Sequence, residues 1–122
     1  MESANSARNV VSQPSETQRQ VTDIVNRCRK ALARHYGTQF KGLVLYGSAA
    51  RRQDTPSSDI DLLVLLSAPF DYFLELRCIV DLLYPVQLES ERLISAKPAA
   101  VGDFEDGRFQ LYRNARREGT LV

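Results

Sequence analysis

The chain has 122 residues, 43% of them hydrophobic and 25% charged, with a formal charge of +1. That length suits one domain with a real core, and the near-neutral balance excludes a strongly basic, general nucleic-acid-binding surface. No apolar run approaches the ~20 residues that cross a bilayer, and the polar start MESANSARNVVSQPSETQ lacks the apolar stretch of a secretion signal, so the expected location is the cytoplasm, with no membrane partner.

Residues 1–14, rich in Ser, Asn and Gln, are expected to form a disordered tail ahead of a single domain at 15–122. Ser15 with Gln18 matches a capping box and opens a helix to about His35. Val21, Ile24, Val25, Cys28, Ala31 and Leu32 recur at helical spacing, and Gly37 is the stop. His35 falls in the last turn, where contact with the helix end or solvent outweighs a chemical role. Phe40 to Tyr46 reads as the first strand, ending in a Gly47-Ser48 turn, with a short helix expected around Ala49 to Arg52. Thr55 to Ser58 is a loop, and Asp59 to Leu66 the second strand.

From Phe70 onward, Phe73, Leu74, Arg77, Cys78, Asp81 and Leu82 suggest a second amphipathic helix that Pro85 must kink or end. Arg92 to Pro98 reads as a third strand. Asp103 to Glu118, stopped by Gly119, reads as one or two closing helical pieces with a basic end. Cys28 and Cys78 occupy apolar helix positions without metal-ligand spacing and read as reduced core thiols. The alternation of helix and strand predicts an α/β (α+β) layer structure with a small sheet.

The chemistry concentrates in YGSAARRQDTPSSDIDLLVLL. Gly47 lets the backbone approach a ligand closely, and Ser48 adds a hydroxyl to the amides of the turn, so this corner can cradle phosphate oxygens. Asp59 and Asp61 are two apart on a predicted strand and leave the same face. Two carboxylates so spaced can share Mg²⁺, which takes one or two carboxylates plus substrate phosphates. Gly-Ser alone is a common turn and Asp-x-Asp alone a common strand edge. Here, however, the acids open the apolar run Ile60 to Leu66, where Asp61 is costly without a partner or a metal.

These residues resemble the minimal nucleotidyltransferase branch of the DNA polymerase beta-like superfamily, whose pattern is Gly-Ser, a variable residue, Ala-Arg-Gly, a loop and Ser-Asp-x-Asp-Leu. The chain supplies Gly47-Ser48, Ala50-Arg51, Ser58-Asp59 and Asp61-Leu62, and its ending from Leu111 to Gly119 is similar to the tail of these small proteins. The resemblance implies a small mixed β-sheet with flanking helices, the polymerase beta-like nucleotidyltransferase fold. It further implies Asp59 and Asp61 as catalytic Mg²⁺ ligands, Gly47 and Ser48 as phosphate binders, and ATP as the donor of AMP. Arg51 reads equally as a phosphate-facing or a solvated arginine.

Two departures stand out. Arg52 replaces the usual glycine, and the third strand holds no acid, so Glu91 or Glu89 just before it would have to complete the catalytic set, Glu91 sharing strand parity with Ser95. With no residues left over for an acceptor domain, the resemblance implies a partner or a second copy. The leading expectation is an antitoxin that adenylylates a HEPN-type toxin within a homo- or hetero-oligomer. The alternative is an inactive nucleotide-binding module that neutralises its partner by binding; transfer to a small molecule such as an aminoglycoside ranks third.

Overall fold

The computed structural model describes residues 15–51 and 55–122. The tail at 1–14 and the departure at Arg52 lie outside the described residues. Helix α1 (Glu16–Tyr36) starts at the anticipated capping box: the Ser15 hydroxyl accepts from the Gln18 amide at 3.1 Å, and the Gln18 side chain accepts from the Ser15 amide at 2.9 Å. The two bonds satisfy orphan donors of the first turn. Gly37, at φ 57°, ends the helix, and a short 3₁₀ turn (Gly37–Gln39) leads into strand β1 (Phe40–Tyr46).

Strand β2 (Ile60–Leu66) begins one residue after Asp59. Helix α2 (Tyr72–Leu88) is capped by Asp71, whose carboxylate accepts from the Leu74 amide at 3.0 Å. It runs through Pro85 rather than ending there. Pro85 is exposed, so the carbonyl that loses its intrahelical donor can be met by water. Strand β3 (Ile94–Ala100) starts and ends two residues later than the pattern suggested. The closing segment is two helices, α3 (Val101–Asp106) and α4 (Gln110–Glu118), separated by Gly107 in the left-handed conformation. A two-residue strand, β4 (Thr120–Leu121), follows; the sequence pattern did not reveal it.

The sheet is mixed, in the order β3-β2-β1-β4. Strand β2 pairs antiparallel to β1 and parallel to β3, and β4 pairs antiparallel to β1. The period-two pattern of β2 splits its side chains between two cores. Ile60, Leu62, Val64 and Leu66 join Leu43 and Leu45 against α1 and α2, with Cys28, Leu32, Ile79 and Leu83 among their neighbours. Leu63 and Leu65 join Val44, Ala99 and Ala115 in a smaller core beneath α3 and α4. Both cysteines are free. Burial pushes the Cys28 thiol up to about 11, so it stays protonated. The Cys78 sulfur lies 3.4 Å from His35 Nε2.

Candidate functional site

The site forms where β1 leaves the sheet and β2 enters it. Tyr46, the last residue of β1, stands opposite Asp61 in the antiparallel register. Gly47 follows at φ 75°, a conformation that favours glycine. The chain then turns, and the Arg51 amide closes the turn on the Gly47 carbonyl at 3.3 Å. Ala49 and Ala50 pack against the main core, so their small side chains let the turn sit close to the body of the protein. Glycine at position 47 has a second reason: a Cβ there would overlap Asp61 Oδ2. The turn and the carboxylate of Asp61 are therefore in direct contact.

The approach to Asp59 is held from the other side. The Ser58 amide donates to the Thr55 carbonyl at 3.0 Å, closing a tight turn. Arg92, which is buried, donates from Nε to the Ser58 carbonyl at 2.6 Å. The Ile60 amide donates to the Leu93 carbonyl at 2.8 Å, which extends the pairing with β3. Asp59 is thus aimed by a loop fastened to the neighbouring strand. No local sequence signal marked Arg92, because the contact spans the α2 crossover.

Asp61 feels the charge of Asp59. Burial first, then the Asp59 carboxylate, hold Asp61 above the usual carboxylate range, while Lys97 pulls it down. Register explains the lysine: Asp61 stands opposite Ser95 and Leu63 opposite Lys97, so Lys97 shares the acid face of the sheet. Tyr46 is half-buried on that face, and burial followed by the Asp61 charge pushes its hydroxyl up to about 12. It is a neutral phenol at physiological pH. Neither Tyr46 nor Lys97 was marked by the sequence, since both reach the acids only through strand pairing.

The remaining expected residues have other positions. Ser48 is half-buried within the turn. Arg51 is exposed and forms an ion pair with Glu118 of α4 at 3.6 Å. Glu89 pairs with Arg27 of α1 at 3.0 Å. Glu91 is exposed on the loop before β3 and lines a cavity of about 400 Å³ with Glu16, Asp23 and Arg27. Among the described residues, no Asp, Glu, His or Cys joins Asp59 and Asp61 to make a cluster of three. Two neighbouring carboxylates, one of them partly desolvated against the Gly47 turn, suit a hard divalent cation.

Comparison with known proteins bears on this geometry. The family profile for the nucleotidyltransferase domain matches residues 25–108, spanning β1, the turn, β2, α2 and β3. A candidate protein adenylyltransferase of Methanocaldococcus jannaschii is 32% identical over 96 residues, which cover 75% of this chain and 87% of the relative. Among solved structures, a candidate nucleotidyltransferase from Sulfolobus solfataricus superposes with a TM-score of 0.62 at 14% identity, covering 90% of this chain and 88% of that one. Its likeness is one of fold. A toxin–antitoxin structure with AMP-PNP aligns at a TM-score of 0.46 and 17% identity, over 79% of this chain and 69% of that one, too distant to bear on function. Among the described residues, no helix is long and apolar enough to cross a membrane.

Proposed function

Because the chain belongs to the nucleotidyltransferase domain family, we propose that it transfers AMP from ATP, with Mg²⁺, onto a hydroxyl group of a protein acceptor, releasing pyrophosphate and the hydroxyl proton. The observation that carries this reading is the wedge of Asp61 against Gly47, which joins an acid pair to a turn able to take phosphate. Asp59 and Asp61 would hold Mg²⁺, which when bound supplies charge neutralisation for the triphosphate. The turn amides and the Ser48 hydroxyl receive phosphate oxygens. Tyr46, protonated at neutral pH, can donate a hydrogen bond into the site but cannot act as its base. Lys97 adds a fixed positive charge beside the acids, suited to the phosphate chain. Arg51, tied to Glu118, would steady the turn from outside. Positioning supplies much of the remaining acceleration.

A protein acceptor is supported by the name of the archaeal relative. The specific acceptor we propose is a tyrosine of a HEPN-type toxin, with this chain as the cytoplasmic antitoxin. A tyrosine hydroxyl titrates near ~10 and needs help to lose its proton at neutral pH. Glu91 is the proposed base, and would have to move from its exposed loop when the acceptor docks.

A second reading, neutralisation by binding alone, is favoured by the absence, among the described residues, of a third carboxylate beside the acid pair and by Lys97 on the strand next to the acids. Intact-mass spectrometry separates the two. A HEPN-type protein encoded beside this chain, incubated with it and Mg-ATP, gains AMP under the first reading. Asp59→Asn with Asp61→Asn abolishes the gain, and Glu91→Gln suppresses it while keeping the Mg-ATP-induced rise in melting temperature. Neutralisation by the double variant, with no AMP added by the wild type, establishes the second.

A further inference from the structure

Among the described residues, nothing covers the outer face of α2. Phe73, Val80, Tyr84 and Leu88 are all exposed, with Phe73 74% and Leu88 67% accessible, and Leu93 stands exposed just beyond the helix end. At 100° per residue the four helical positions fall within one narrow stripe running about four turns. Arg77 lies on the same stripe and Asp81 at its border; both are exposed. Beside it, between α2 and the edge strand β3, is a cavity of about 240 Å³ lined by Val80, Leu83, Tyr84, Gln87, Leu93 and Ile94 among others. An engineered apolar cavity of ~150 Å³ already admits benzene, so this one can take an aromatic ring.

We infer that this stripe is a docking surface for a second copy of the chain, paired antiparallel about a twofold axis near Val80 and Asp81. The stripe is self-complementary in that arrangement. Phe73 of one copy meets Leu88 of the other and enters the cavity beside Leu93. Arg77 lies over the ring of Tyr84, a favourable cation–π placement, and less than one turn from the opposite Asp81, so the two arginines flank and offset the two carboxylates that meet at the axis. Phe73 with Leu88 and Arg77 with Tyr84 are matched within the same stripe, as a closed isologous contact requires. The five apolar side chains still show on the order of 600 Å² (aromatics bury 150–250 Å² each), approaching the ~800 Å² per partner of a standard interface. The surface uses none of the residues assigned to the proposed chemistry, so the inference stands independently of it.

Sedimentation equilibrium of the full chain at micromolar loading tests this. The wild type is expected at twice the chain mass. Phe73→Asp and Leu88→Asp, at opposite ends of the stripe, are each expected to be monomeric, with far-ultraviolet circular dichroism unchanged because both positions are on the surface. Phe73→Cys mixed with Leu88→Cys under oxidant is expected to give a disulfide that peptide mapping places between those positions. A monomeric wild type, or a dimer that survives both aspartate substitutions, overturns the proposal; a dimer lacking that cross-link overturns the register.

Discussion

The two faces of strand β2 are built for different purposes. On one, Ile60, Leu62, Val64 and Leu66 are fully buried beneath α1 and α2. On the other, Leu63 and Leu65 are covered by α3 and α4, while Asp61 is only partly buried and Asp59 is exposed. One strand thus carries a completely covered face and a face whose cover stops short. Full cover yields stability from apolar burial. Cover that stops short leaves polar groups partly desolvated yet reachable, which is what a binding site needs.

The largest expected effect is on the covered face. Leu62→Ala removes a fully buried side chain and should cost about 2–5 kcal/mol, read as a lower urea midpoint with little change in slope. The protein that remains folded should keep its response to Mg-ATP. Loss of that response in the folded fraction would show that the two faces are not separable.

Gly47→Ala acts at the boundary between them. The methyl group meets Asp61 Oδ2 and sits at a positive φ, so about 1–2 kcal/mol of stability should be lost. The thermal shift with Mg-ATP should fall much further, because the turn and the carboxylate can no longer occupy their places together. A variant with the full shift would show that the turn and the acids work apart.

What the sequence revealed and what it hid follow the same division. The capping box at Ser15 and the bounds of β1 are local properties, and each was readable from a few neighbouring residues. Strand β4 was not, because two residues carry no periodicity and Thr120 and Leu121 become a strand only by returning beside β1. Tyr46, Lys97 and Arg92 reach the site through register with distant strands and loops, which no window of sequence contains. Glu91 was given strand parity with Ser95, but β3 begins at Ile94. Alternation does not extend into the loop, and parity there says nothing about direction.

The smallest expected effect is the most telling about the open face. Burial and the Asp59 charge hold Asp61 above the ordinary carboxylate range despite the pull of Lys97. The folded state therefore binds this proton more tightly than the unfolded one. The stability this provides is fully present below the unfolded value of ~3.9 and is lost as pH rises through the folded value. At neutral pH the ionised Asp61 is a cost to the metal-free fold, and Asp61→Asn should melt slightly higher than wild type. Because the group is partly exposed and screened, the gain should stay below ~1 kcal/mol and shrink with added salt. It should also narrow as the pH is taken below ~4, where the wild-type carboxyl is protonated as well. Mg²⁺ should reverse the order, since a ligand of the acid pair stabilises only the chain that retains it. A metal-free wild type more stable than Asp61→Asn at pH 7 would mean that Lys97 already satisfies the carboxylate as an internal ion pair, making the open face a structural contact rather than a place prepared for a cation.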